Sequence, residues 1–147
     1  MSDDPQNVVV VGASLAGMRA VQTAREVGYT GRLTLIGEEV HHPYDRPPLS
    51  KEYLAEGDLT TIHEFPDAAD LAESADVDLR TGTRATSVDL DAGIVSTTAG
   101  TVEFDALLIA TGVRARRAQH TSMEYTYYET WTTHATSEPP WMPAPTW

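Results

Sequence analysis

The sequence predicts an α/β fold, a small parallel sheet with a β-meander insertion, and three observations predict it. Asn7 to Val11 is a continuous β-branched run broken by Gly12 and followed by a helical apolar period. Ala106 to Ala110 is a second continuous apolar run, closed by Thr111-Gly112. Short strand signals with turn residues between them fill the stretch before it. Continuous runs mark strands buried on both faces, as in a parallel sheet, whereas short strands joined by turns mark antiparallel hairpins.

Each element follows in order. NVVVV is the first strand. From Leu15 to Val27 the apolar positions Leu15, Met18, Val21, Ala24 and Val27 recur at helical spacing, and Gly28 is the expected stop. Leu33, Leu35 and Ile36 form a second strand ending at Gly37. Strand, tight turn, helix and strand within about thirty residues make a βαβ unit with a right-handed crossover. A Pro-rich loop, His42 to Pro48, leads into a short helix with Ser50 near its start and Leu54 on its inner side. Gly57 to Phe65 is poorly patterned, and Asp67 to Ser74 reads as a short acidic helix. Strand signals follow at Val77–Arg80, Ala85–Leu90, Ile94–Thr97 and Thr101–Phe104, with Ala99-Gly100 turning between the last two. No internal repeat is present.

Composition bounds the function. A chain of 147 residues is long enough for one domain with a core. Its formal net charge of −12 argues against nucleic acid or an anionic membrane as a direct partner. The chain has no cysteine, which excludes disulfides, thiolate metal sites and a dithiol redox centre within it. No apolar run approaches the roughly 18 residues of a membrane helix, and Met1 to Gln6 has no signal-peptide pattern, so a cytoplasmic location is expected.

The first motif lies in the strand-to-helix turn. Gly12-Ala13-Ser14-Leu15-Ala16-Gly17 is a G-x-G-x-x-G fingerprint with Ser14 in the place of the middle glycine. Gly12 permits the tight turn, a small residue at 14 lets backbone approach a pyrophosphate, and Gly17 allows close helix–strand packing. The open amides and positive end of the helix then attract phosphates. Glu38, an acid roughly 20 residues further on, is placed to accept hydrogen bonds from ribose hydroxyls. This context makes the fold Rossmann-like and points to dinucleotide binding. The turn also resembles a hydrolase nucleophile elbow at Ser14. That motif needs sheet strands ahead of it, and only eleven residues precede Gly12. His41 and His42 are adjacent in a loop without further ligand candidates, so no metal site is expected.

The most specific string is Pro43-Tyr44-Asp45-Arg46-Pro47-Pro48-Leu49-Ser50-Lys51. With VVVVGASLAG, LTLIGEE, VDLRTGTRATSVDL and FDALLIATG in the same order, the chain up to about residue 115 resembles FAD-dependent NAD(P)H oxidoreductases of the ferredoxin- and rubredoxin-reductase type, relatives of apoptosis-inducing factor. The resemblance implies an FAD/NAD(P)-binding fold and electron transfer from NAD(P)H through FAD to a ferredoxin-type carrier. It implies that Gly12, Ser14, Leu15, Ala16 and Gly17 line the pyrophosphate and that Glu38 holds the ribose. It places Arg46 and Lys51 on the FAD, with Lys51 near the flavin as the candidate catalytic residue. Ala85 would meet the adenine through its backbone, and Ala110, Thr111 and Gly112 would close over the cofactor. The alternative for Arg46 and Lys51 is a solvated surface charge. Disulfide reductases of the wider superfamily carry a redox cysteine pair where this chain has PYDRPPLS, which favours an external one-electron acceptor.

The resemblance ends after Arg117. All three tryptophans and three of the six tyrosines lie in residues 118–147, among threonines and prolines with no periodicity. Met and Trp have single codons, so reading the tail two bases later fixes several residues: Met123-Glu124 gives Gly, Trp131-Thr132 gives Asp, Trp141-Met142 gives Asp and Met142-Pro143 gives Ala. With GC-rich codons elsewhere the shifted frame reads a strand-like GVHLLR followed by an amphipathic helix, similar to the next segment of the family. Residues 1–117 are therefore expected to be the N-terminal part of the FAD/NAD(P)-binding domain, incomplete as a fold. Residues 118–147 are expected to be a disordered frameshift tail. Such a chain would retain FAD weakly and lack the NAD(P)H domain. Two other readings are a non-catalytic remnant and an FAD-binding module without turnover. A plain NAD-binding domain does not account for PYDRPPLSK.

Overall fold

A computed structural model describes residues 4–51, 64, 65, 68, 70 and 76–114. The chain divides into two compact units, Met1–Asp45 with His63–Gly112, and Arg46–Ile62 with Val113–Trp147. In the first unit β1 (Asn7–Val11), α1 (Leu15–Glu26) and β2 (Arg32–Ile36) form the βαβ core, and β3 (Asp78–Arg80) and β7 (Ala106–Ile109) flank it. All four strands are parallel, in the order β3-β2-β1-β7. A separate antiparallel meander follows β3 in the chain: β4 (Ala85–Asp89), β5 (Ile94–Thr97) and β6 (Gly100–Glu103).

Strand alternation divides the core into two faces. Val10, Leu33 and Leu35 point towards Met18 and Val21 of α1. Val9, Val11 and Ile36 point the other way, onto Val95 and Val102 of the meander. The sheet is thus covered by a helix on one side and a meander on the other. Each fully buried side chain of this kind contributes about 1.5–3 kcal/mol. This double cover is why β1 reads as an unbroken apolar run.

The differences from expectation have physical causes. Helix α1 ends at Glu26, Val27 caps it, and Gly28 turns the chain at φ 88°. Its ends do not reach the core: Leu15 is 50% and Val27 77% exposed. A three-residue step falls about 60° short of a turn, so an i, i+3 stripe winds round the helix and only its middle faces the sheet. The end of the Pro-rich loop forms a 3₁₀ turn at Pro47–Ser50, and the helix expected from about Ser50 falls, beyond Lys51, outside the described residues. Leu54 lies outside the described residues. So does the 67–74 helix, except for Ala68 and Asp70, both helical. Of the strand signals after the acidic segment, Val77–Arg80, whose pairing the sequence left open, joins the parallel sheet beside β2. The hairpin turn falls on Thr98-Ala99, with Gly100 opening β6. Strand β7 is not buried on both faces: Leu108 is 42% and Ile109 66% exposed, because among the described residues only β1 pairs with it. The boundary at Arg117 and the tail lie outside the described residues.

Candidate functional site

In a parallel sheet all strands deliver their carboxyl ends to one edge. The loops leaving β1, β2, β3 and β7 therefore meet there. Strand β1 leads to β2 on one side through α1 and has β7 on the other, so the chain order reverses at β1. Open α/β sheets bind ligands at this edge, beside such a switch point.

Backbone ties hold the loops together. The Gly12 amide donates to the Ile36 carbonyl (2.8 Å), and the Ala110 amide donates to Val11 (2.7 Å). Gly37 donates to Arg80 (2.9 Å), Gly82 to Glu39 (2.7 Å) and Thr83 to Gly37 (2.7 Å). Two glycines make the approach possible. Gly12 has φ 117°, and a Cβ there would fall on the Ala110 carbonyl. A Cβ on Gly17 would fall on the carbonyl of Gly12, so the helix could not approach the turn. These are the steric roles read for both residues from the sequence.

Ser14 is the N-cap of α1, extended at φ −127°, and its hydroxyl caps no helix amide. The first intrahelical bond runs from the Met18 amide to the Ser14 carbonyl (2.9 Å). The first turn contains no acidic residue. Leu15 and Ala16 are exposed, Ser14 is half-buried and Gly17 is buried. The helix thus presents its positive end and unbonded amides without a side chain competing for them, an arrangement suited to an anion.

Glu38 follows β2 at the same edge and faces Arg84, with Oε1 and Nη1 3.8 Å apart. Its neighbour Glu39 accepts a 2.7 Å hydrogen bond from the hydroxyl of buried Tyr44. Ala85 opens β4 next to Arg84 and packs against the meander core. Ala110 is half-buried and Thr111 exposed, and Gly112 turns at φ 67°. The structure thus brings Gly12 to Gly17, Glu38, Ala85 and Ala110 to Gly112 to one edge. Arg84 was missed by the sequence reasoning. The signal available was its place beside Ala85 in GTRATS.

Arg46 and Lys51 belong to the second unit. They flank the 3₁₀ turn: the Arg46 carbonyl accepts from the Leu49 amide (3.0 Å), and the exposed Lys51 donates its amide to Pro48 (3.1 Å). His42 lies 3.4 Å from a Glu64 carboxylate oxygen. Among the described residues no cluster of three or more His, Cys, Asp or Glu gathers, and no described helix is long and apolar enough to cross a membrane.

The opposite end of the sheet holds a groove of about 670 Å³, lined by Arg25, Tyr29, Arg32, Asp76 and Asp78 among others. Its charges are committed to the fold. Arg25 donates to the carbonyls of Tyr29 (2.5 Å), Gly31 (2.9 Å) and Asp76 (2.5 Å). Asp78 bridges Arg32 (3.2 Å) and Arg80 (2.8 Å). The Arg80 hydrogen bonds, helped by Arg32, hold the Asp78 carboxyl below the usual carboxylate range against a smaller opposing effect of burial.

The family model of pyridine nucleotide-disulphide oxidoreductases matches residues 6–144. The chain belongs to this family. It is 40% identical over 111 residues to the benzene 1,2-dioxygenase system ferredoxin–NAD(+) reductase subunit of Pseudomonas putida, a match covering 75% of this chain and 27% of the relative. It is 37% identical over 122 residues to the p-cumate 2,3-dioxygenase system ferredoxin–NAD(+) reductase component of Pseudomonas putida, covering 80% and 29%. Among solved structures, the crystal structure of Fdr9 superposes with a TM-score of 0.76 at 38% identity, over 88% of this chain and 32% of that one. The covalent putidaredoxin reductase–putidaredoxin complex gives 0.74 at 29% identity, over 88% and 33%. The chain therefore spans about a quarter to a third of the length of these proteins. Despite the family's name, its 147 residues contain no cysteine for disulfide chemistry.

Proposed function

We propose that these residues form the FAD-binding portion of a cytoplasmic oxidoreductase of the ferredoxin-reductase type, whose reaction carries electrons from NAD(P)H through FAD to a ferredoxin-type protein. One observation carries the reading: the fingerprint turn, Glu38, Ala85 and residues 110–112 converge at the carboxyl edge, with an uncapped, acid-free helix start among them.

The residues present fit FAD. The amides around Ser14, Leu15 and Ala16 take the pyrophosphate, and Gly12 and Gly17 keep that turn close to the sheet. Glu38 accepts from the ribose hydroxyls, and the backbone at Ala85 meets the adenine. Residues Ala110, Thr111 and Gly112 close one side. Arg46 and Lys51 are assigned by the family resemblance alone, Arg46 as a phosphate partner and Lys51 as a charge near the flavin. FAD, when bound, takes two electrons from the nicotinamide and releases them singly. By the family resemblance, NAD(P)H and the carrier protein would be met by segments other than the described residues. A second reading is an FAD-binding module without turnover, in which the convergence at the carboxyl edge serves binding alone.

Titrating FAD into the full chain, alongside an assay of NADH oxidation, tests both. The expected result is saturable but weak FAD binding, lost on desalting, with no NADH oxidation. A folded chain that binds no FAD overturns the proposal, and steady NADH oxidation overturns the module reading. We further infer that residues 118–147 are read out of frame: the forced codons at Met123, Trp131, Trp141 and Met142 support this, and the reach of the family match to residue 144 weighs against it. Restoring one base in the coding DNA near residues 114–120 then opens a long frame of reductase-like sequence. An intact natural frame there removes the inference.

A further inference from the structure

We propose that Arg84 is a positioning residue for the adenosine end of the cofactor, holding the Glu38 carboxylate in place to receive the ribose hydroxyls. The proposal rests on the FAD reading above.

Both residues stand on fixed backbone. Gly37 and Glu39, on either side of Glu38, are tied to Arg80, Gly82 and Thr83 by the hydrogen bonds already described. The Arg84 amide donates to Thr98 Oγ1 (3.0 Å), and the Thr98 amide returns a bond to the Arg84 carbonyl (2.9 Å). The two side chains therefore meet from rigid platforms, which lowers the entropy that an exposed ion pair must overcome.

The separation matters. At 3.8 Å the contact is an ion pair but too long for a hydrogen bond. Arg84 acts on the carboxylate by charge at that distance. Charge balance points the same way. Glu38 and Glu39 are adjacent acids beside the edge read as the pyrophosphate site, on a chain of net charge −12. Glu39 is bonded by Tyr44, and Arg84 offsets Glu38. Both side chains are more than half exposed, 59% for Arg84 and 51% for Glu38, so a ligand can reach the pair.

The test compares ADP with 2′-deoxy-ADP, and FAD as a third ligand, on the full chain and on R84A, R84Q and R84K. The expected result is a loss of roughly two- to fivefold in ADP and FAD affinity for R84A and R84Q. The preference for ADP over 2′-deoxy-ADP should shrink in the same variants and be partly restored in R84K. Melting temperature should stay near that of the parent, and the parent's advantage should fade at about 0.5 M salt. R84Q keeps most of the side-chain stem, so it reports on charge if R84A folds poorly. A merely structural role would move melting temperature and weaken both nucleotides equally, and that outcome overturns the assignment. Parent binding that the variants leave unchanged overturns Arg84 alone. A folded parent that binds neither ADP nor FAD overturns the FAD reading and this assignment together.

Discussion

The two ends of the parallel sheet are built by different means. At the amino end side chains lock the backbone: Arg25 holds three carbonyls, and Tyr29 donates its hydroxyl to Pro5 (2.9 Å). The Asp105 carboxylate receives the amides of Gln6 (2.9 Å) and Asn7 (2.8 Å), tying the start of β1 to the start of β7. At the carboxyl end backbone closes on backbone through Gly12, Gly37, Gly82 and Ala110, and Leu15, Ala16, Glu38 and Arg84 reach solvent. Polar side chains committed to the fold cannot also serve a ligand. The amino end thus spends its side chains on the backbone, whereas the carboxyl end is closed by backbone and keeps Glu38 and Arg84 at the surface.

Substitutions can break that contrast. The largest effect is expected for Gly12→Val, which puts a β-branched residue at φ 117° and a Cβ onto the Ala110 carbonyl. A loss of about 3 kcal/mol or more is expected in denaturant unfolding. Arg25→Ala should follow at about 2–4 kcal/mol, since it strands three carbonyl acceptors at the amino end. The affinity of whatever Arg25→Ala protein remains folded for FAD should equal that of the parent, measured by titration at low temperature. Glu38→Gln reverses the pattern. It should leave unfolding within about 0.5 kcal/mol of the parent, as exposed sites do, and weaken FAD roughly tenfold, the scale of one hydrogen bond to a charged group.

The smallest effect concerns Asp78. Its pKa is lowered in the folded state, first by the Arg80 hydrogen bonds. A depressed carboxyl pKa adds stability that is present above the unfolded value, about 3.9, and lost as pH falls through the folded value. The chain should therefore lose part of its stability on acidification below about pH 4, and Asp78→Asn should flatten that slope slightly. An equal slope in both proteins would remove Asp78 from the account.

The βαβ core was legible because its signals are local and mutually consistent. The run at Asn7–Val11, the glycines at 12 and 17 and the period around Met18 and Val21 each specify the same strand–turn–helix. Other features were not legible, because they depend on partners distant in the chain. Strand propensity marks Val77–Arg80 as β but cannot say that it pairs with β2 rather than with β4. The run at Ala106–Ile109 looks buried because its composition suits a covered strand, whereas among the described residues β1 alone pairs with it. Arg84 escaped notice because an arginine before a strand is ordinary until Glu38, distant in sequence, is found facing it. Gly12, Gly17 and Glu38 lie at the carboxyl edge, as their spacing implied, since the turn and the strand after it place them.

The claim that the carboxyl edge is the cofactor edge is tested most directly by hydrogen–deuterium exchange of the full chain with and without saturating FAD. The account predicts slower exchange in peptides spanning residues 12–18, 37–39, 82–86 and 110–112, and unchanged exchange at 25–33 and 76–79. Protection confined to the amino end, or spread evenly over the sheet, would contradict it.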